Sequence, residues 1–332
     1  MRTISVCPAT LQPGHDTYSP MALKSLFGGE KVSPFLDFDF DGINVSSLLQ
    51  ENQNNLSISG AQEKYSAVVE RGHIRLSNPG EQGTFILKPA PMINIQTRKQ
   101  IPANEHLTMQ IASQVYDIKT AANALCFSAK GQPVYITRRF DVKPDLTKYS
   151  MEDFASVLGK TEQGADSNFK YDGHYAMIVD AIRTIVPAWM VETERFFKLV
   201  IFNYLYANED AHLKNFSLIN RNGEYALAPA YDLLNTHLHL ESDDLGLKGG
   251  LAPDIEPSDA LLRTGHLCRS DFERFAQRIG LPTKRAERVL DLFMVFPPMV
   301  NDLIDNSFLN DKMKRSYWRI INQRRQWFVR GC

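Results

Sequence analysis

Asn208-Glu209-Asp210-Ala211-His212-Leu213-Lys214-Asn215, with Tyr231-Asp232 after it, is the stretch on which the reading of this chain turns. It directly follows an apolar helical run from Phe196 to Tyr206, so it is expected to be the loop where a buried helix reaches the surface. Asp210 is followed five residues later by Asn215, and Asp232 lies 17 residues beyond that. Two carboxylates and an amide at these separations suit phosphoryl transfer. That chemistry needs a nucleophile aimed in line and cations held against the phosphates. One Asp orients the attacking hydroxyl, while the Asn and the second Asp offer hard oxygen ligands to Mg²⁺. In a loose transition state base strength matters little, and an ordinary carboxylate suffices. Asp-x-x-x-x-Asn alone is also what a loop-capping aspartate leaves in a sequence, so the rest of the chain has to decide.

The 332 residues are too many for one small core and imply two lobes. A hydrophobic share of 43% and a charged share of 23% are those of an ordinary globular protein. A net charge of −1 argues against a large nucleic-acid footprint, which would need a basic excess. Lys312, Lys314, Arg315, Arg319, Arg324, Arg325 and Arg330 read as the solvated face of a terminal helix; a docking surface for an acidic partner or a DNA complex is the other reading. The cysteines, Cys7, Cys126, Cys268 and Cys332, are scattered without metal-ligand spacing and read as reduced thiols of a cytosol. The N-terminus lacks an apolar core of signal length, and no run approaches the apolar length of a membrane span. A cytoplasmic protein without membrane attachment is expected.

Ser19-Pro20 before Met21–Phe27 and Gly28-Gly29 after it punctuate a short helix. Tyr65, Ala67 and Val69 alternate with polar partners, Arg71-Gly72 turns, and His73 to Ser77 returns. Thr84 to Lys88 and Val134 to Phe140 read as further strands, and Asn104 to Tyr116 as a helix packed on the sheet through positions 107, 111, 112 and 115. From residue 150 the pattern turns helical. Ser150-x-x-Asp153 and Ser270-x-x-Glu273 resemble capping boxes, and Leu309 to Phe328 is the last helix. The expected fold class is α+β and bilobal, protein-kinase-like, with a β-rich N-lobe over 1–140 and an α-helical C-lobe over 141–332.

The order of parts is what strengthens the signal. Ser57-Ile58-Ser59-Gly60-Ala61-Gln62-Glu63-Lys64 is a small-residue turn entering the first strand, where backbone amides can approach phosphate oxygens, although a simple turn has the same composition. Lys88 ends an apolar strand, and Glu105 opens the next helix as its candidate partner, an arrangement that would hold the Lys against α- and β-phosphates. A Lys snorkelling to the surface is the plainer alternative. The Val134–Phe140 strand becomes the hinge whose backbone would hydrogen-bond adenine. Asp210, Asn215 and Asp232 complete the layout of a protein-kinase catalytic loop and its metal-binding Asp. His212 has no partner at metal-ligand spacing, and a structural or phosphate-side role is assigned to it. His237-x-His239 is discounted as a metal pair because the Glu241-Ser242-Asp243-Asp244 run beside it reads as an exposed loop.

Ser57–Lys64, Phe85-Ile86-Leu87-Lys88-Pro89, Asn104-Glu105, Arg139-Phe140-Asp141, Glu152-Asp153-Phe154, Asn208-x-Asp210–Ser217 and Pro229-x-Tyr231-Asp232-Leu233-Leu234 together resemble the HipA family of bacterial serine/threonine kinase toxins. The resemblance runs from about residue 55 to the end. It implies ATP and Mg²⁺ as cofactors, Asp210 as catalytic residue, and Asn215 and Asp232 as metal ligands. Lys88, Glu105, Arg138, Phe140, His212, Ser59 and Gly60 would then face ATP, and Ser57 or Ser59 would carry an inhibitory autophosphorylation. It also implies an aminoacyl-tRNA synthetase substrate, of tryptophan or glutamate type, and a HipB-like DNA-binding antitoxin through which DNA is met only indirectly. Glu209 departs from the small residue expected beside the catalytic Asp, and Arg138 stands where longer members carry Glu. The chain is expected to lack the N-terminal subdomain of longer members, which resembles the compact HipT variant with its separate small partner HipS. A non-catalytic, pseudokinase-like binding module and a small-molecule kinase are the rival readings; Mg-ATP treatment followed by mass measurement separates them.

Overall fold

A computed structural model of the chain describes residues 3–41, 62–161, 168–240 and 243–330. They fall into two compact units, Met1–Val115 with Lys119–Lys148 and Pro298–Arg315, and Tyr116–Ile118 with Tyr149–Pro297 and Ser316–Cys332. The first unit therefore runs past residue 140 and takes back a segment from the C-terminal half.

In the first unit, helix α1 (Pro20–Phe27) starts and stops as its punctuation requires. Ser19 Oγ accepts the Ala22 amide, Pro20 fills the first turn, and Gly28 closes the helix at φ 68°. Strands β1 (Tyr65–Glu70), β2 (His73–Leu76), β3 (Phe85–Lys88), β4 (Asn123–Phe127) and β5 (Pro133–Arg138) form an antiparallel sheet in the order β2-β1-β3-β5-β4. Side chains alternate across a strand. Phe85 and Leu87 therefore join Tyr65, Ala67 and Ile136 in a core closed by Tyr18, Leu26, Phe27 and Leu36, and Lys88 points to the opposite face.

That face is covered by helix α2 (Ile101–Gln114), which differs from the one-sided helix expected at 104–116. Every residue from Ile101 to Ala112 is buried, so the helix is enclosed all round. Its polar side chains are matched individually. Lys88 pairs with Glu105, His106 Nε2 lies 3.0 Å from Ala9 O, and Gln110 Nε2 donates to Asn123 Oδ1 at 2.9 Å.

The second unit is not purely helical. Strands β6 (Ser150–Asp153), β7 (Ser217–Arg221) and β8 (Glu224–Leu227) form a small antiparallel sheet in that order. The supposed capping box at Ser150 is thus a strand, and Asp153 itself caps helix α3 (Phe154–Val157) by accepting the Ser156 amide. Helices α4 (Tyr175–Ile185) and α5 (Trp189–Leu205) follow, then α6 (Asp259–Thr264), α7 (Arg269–Arg278) and α8 (Thr283–Asp291). The cap of α7 is Cys268 with Asp271, two residues ahead of the expected Ser270 box. Helix α9 (Met299–Asn306) belongs to the first unit and packs on α2, and α10 (Asp311–Arg330) ends the chain. Phe196, Phe197, Phe202, Tyr204 and Leu205 bury α5 in the core of the second unit. Among the described residues, no helix is long and apolar enough to cross a membrane.

Candidate active site

Lys88 ends β3 opposite Tyr135. Its Nζ lies 2.7 Å from Glu105 Oε1, and the two side chains are 5% and 3% exposed. The ammonium also sits 5.3 Å from the centre of the Tyr135 ring. Lys88 is therefore not a snorkelling surface residue. Gln62, shortly before β1, donates from Nε2 to Pro89 O at 2.9 Å and ties the start of β1 to the end of β3. Ser57, Ser59 and Gly60 lie outside the described residues. Arg138 closes β5; its amide donates to Ala122 O at 2.8 Å and the Arg139 amide to Thr84 O at 2.9 Å. Those two donors of the expected adenine hinge, which continues to Phe140, are therefore spent inside the first unit.

The acidic loop is built in the second unit, where α5 stops. Ala207, just past its end, takes φ 51°, a left-handed conformation costing about 1–2 kcal/mol without a glycine. Thr236 holds it there. The Thr236 amide and hydroxyl donate to Ala207 O at 2.9 and 3.1 Å, and the same hydroxyl accepts the Glu209 amide at 2.9 Å. Asn208 Nδ2 donates to Asn203 Oδ1 at 3.0 Å and reaches Asp232 O at 3.4 Å. Asp232 is itself left-handed, at φ 55°. Strain of this kind persists only where surrounding contacts over-determine it, and here it fixes both ends of the candidate site.

Asp210 is buried at the loop's centre. Its backbone carbonyl accepts the Asn215 side-chain amide at 2.9 Å and the His212 amide at 2.8 Å. Its carboxylate Oδ1 accepts the Tyr171 hydroxyl at 2.6 Å, and His212 Nε2 lies 3.9 Å from the same oxygen. Tyr175 donates to Ala211 O at 2.9 Å. From the other side Gly246 presses on the loop so closely that a Cβ there would stand 2.6 Å from Ala211 N. Only glycine fits that approach.

The imidazole of His212 is held well below its ordinary pKa, first by burial and then by the charge of Lys170, with Asp232 opposing. Burial thus favours the neutral imidazole. Its ring meets Tyr171 edge-on at 5.1 Å, and the Lys170 ammonium lies 5.1 Å from the centre of the Tyr171 ring. Lys170, Tyr171 and Thr236 were not anticipated. No motif or periodicity marks them; they reach the loop only through the fold. His237, discounted as a metal ligand, places Nδ1 2.9 Å from Glu209 Oε1.

The donor set suits a hard divalent cation. Asn215 commits its nitrogen to Asp210 O, which leaves its amide oxygen as the atom that would meet a cation, and Asp232 would supply a carboxylate. Among the described residues no three His, Cys, Asp or Glu side chains form a cage.

Such a loop, on such a fold, defines a kinase-like protein. Residues 56–295 match the HipA-like C-terminal domain family, and the chain belongs to it. A protein of Haemophilus influenzae named "Putative kinase" is 27% identical over 280 residues, covering 80% of this chain and 78% of its own length. The HipA chain of the Shewanella oneidensis toxin–antitoxin complex of HipA, HipB and operator DNA superposes with a TM-score of 0.61 at 16% identity, over 86% of this chain and 66% of that one. The Helicobacter pylori proinflammatory kinase CtkA superposes with a TM-score of 0.50 at 16% identity, over 83% of this chain and 94% of its own. The fold is accordingly α+β and of the HipA and CtkA type.

Proposed function

We propose that this chain is an ATP-dependent serine/threonine protein kinase using Mg²⁺ and acts as the toxin of a bacterial toxin–antitoxin pair. The observation that carries the reading is at Asp210, whose carboxylate already accepts a hydroxyl at 2.6 Å, the distance at which an acceptor hydroxyl would be oriented for attack. In this reading Asp210 aligns the incoming serine or threonine and takes its proton. Asn215 and Asp232 would hold the metal, which would supply charge neutralisation at the phosphates. Lys88, kept in place by Glu105, would contact the α- and β-phosphates, and His212 would lie on the phosphate side. Gly60 and Ser59 would belong to the loop over the phosphates, and the 138–140 stretch would lie on the adenine side.

A phosphoserine at Ser57 or Ser59 would add about −1.5 to −2 charge at neutral pH, repel the nucleotide and limit activity. Asp at both positions should therefore weaken ATP binding and toxicity. The proposed substrate is an aminoacyl-tRNA synthetase, and the proposed partners are a HipB-like antitoxin and, if the chain is of HipT type, a HipS-like protein. Phosphoproteomics of cells expressing the chain or its Asp210→Asn variant tests the whole reading. One dominant serine or threonine site on a synthetase, present only with Asp210, is expected; identical phosphoproteomes would refute it.

A further inference from the structure

We infer that Arg324, on the terminal helix α10, is the positioning residue that locks the catalytic loop, an inference that rests on the kinase reading. Glu209, beside Asp210, is the residue that fits no expected pattern, and its side chain is fully buried. Arg324, 115 residues away, bonds Glu209 Oε1 through Nη2. Its Nη1 lies 2.5 Å from Asp244 Oδ1, an ion pair not aligned as a hydrogen bond. The guanidinium is itself buried, with the Tyr204 and Trp327 ring centres 5.3 and 5.4 Å away. His266 Nδ1 meets the other Asp244 oxygen at 2.9 Å and stacks on Trp327 at 3.4 Å.

Asp244 lies in the segment that follows Asp232 and continues to Gly246, the residue pressed on Ala211. One cation therefore joins three pieces: the terminal helix, the catalytic loop and the segment after the metal-ligand candidate. Many kinases carry Arg before the catalytic Asp and order this segment by adding a phosphate for that Arg to grip. Here the polarity is reversed. The loop carries the acid, and the cation is permanent. No phosphate on the 243–250 segment is needed to order the loop; a seated α10 is.

The test compares Arg324→Met, Arg324→Lys, Asp244→Asn and the double variant Glu209→Gln/Arg324→Met in the full chain. Misplacing a catalytic group by about 1 Å costs roughly 100-fold. Arg324→Met is expected to lower kcat by about that factor with KM for ATP unchanged, and to speed amide exchange over 208–215. Arg324→Lys should recover part of both effects, and the double variant should exchange more slowly than Arg324→Met. Asp244→Asn, at a partly exposed carboxylate, should show the same pattern more weakly, and it decides the matter if Arg324→Met does not fold. Wild-type kcat and wild-type exchange in a folded Arg324→Met or Asp244→Asn protein would overturn the inference. Accelerated exchange in a chain whose wild type transfers no phosphate would instead sink the kinase reading and leave the lock standing.

Discussion

Lys88→Met separates the structural from the chemical role of the buried pair. At 2.7 Å the Lys88–Glu105 attraction is about 6 kcal/mol at an effective dielectric near 20, and most of it offsets the cost of taking both charges out of water. Removing the lysine leaves a carboxylate 3% exposed without that ammonium. The expected loss is about 3–5 kcal/mol, a large part of the roughly 5–15 kcal/mol that holds a domain together. Lys88→Met/Glu105→Leu, which removes both charges, should return to within about 1 kcal/mol of the parent. The chain's tryptophans, Trp189, Trp318 and Trp327, all lie in the second unit. Their fluorescence in urea reports that unit, while hydrogen exchange of β1, β3 and β5 peptides reports the first. Destabilisation should appear in the exchange of the first unit. A single variant costing under about 1 kcal/mol, or a double variant costing the sum of the singles, would refute the argument.

His106 is held down to about 4 by burial, below its unfolded value of about 6.5. The unfolded chain alone therefore binds this proton between those limits, so stability should fall by about 3 kcal/mol as pH drops through that window. His106→Gln should flatten that slope in urea titrations at several pH values. Tyr171→Phe removes the hydroxyl on Asp210 and should lower kcat about tenfold, one hydrogen bond to a charge, with KM for ATP unchanged in steady-state assays. Gly246→Ala would force a Cβ against the Ala211 backbone; overpacking of about 1–3 kcal/mol should appear as a lower Tm together with lost phosphoryl transfer.

The candidate loop stood out in the sequence because its parts are local. Asp210 and Asn215 lie within one turn of chain, and Lys88 and Glu105 are marked by charge at the ends of apolar elements. What could not be read is what the fold brings from afar. Tyr171 and Thr236 converge on the loop from separate segments, and Arg324 sat in a basic run that reads as a solvated face, although it is buried. Strand β4 escaped for a different reason. All five residues, Asn123–Phe127, are buried, so it lacks the alternation that marks a half-buried strand. Helix α2 shows the same effect in reverse: its buried polar residues imitate an exposed face until their partners on other elements are known.

The most direct test is transfer itself. The purified chain is incubated with ATP labelled at the γ-phosphate, with Mg²⁺ or with EDTA, alone and with a bacterial lysate, beside the Asp210→Asn and Asp232→Asn variants. Label on serine or threonine, dependent on Mg²⁺ and lost in both variants, is the expected result. No label on any protein, or equal labelling by the Asp210→Asn chain, would contradict the account.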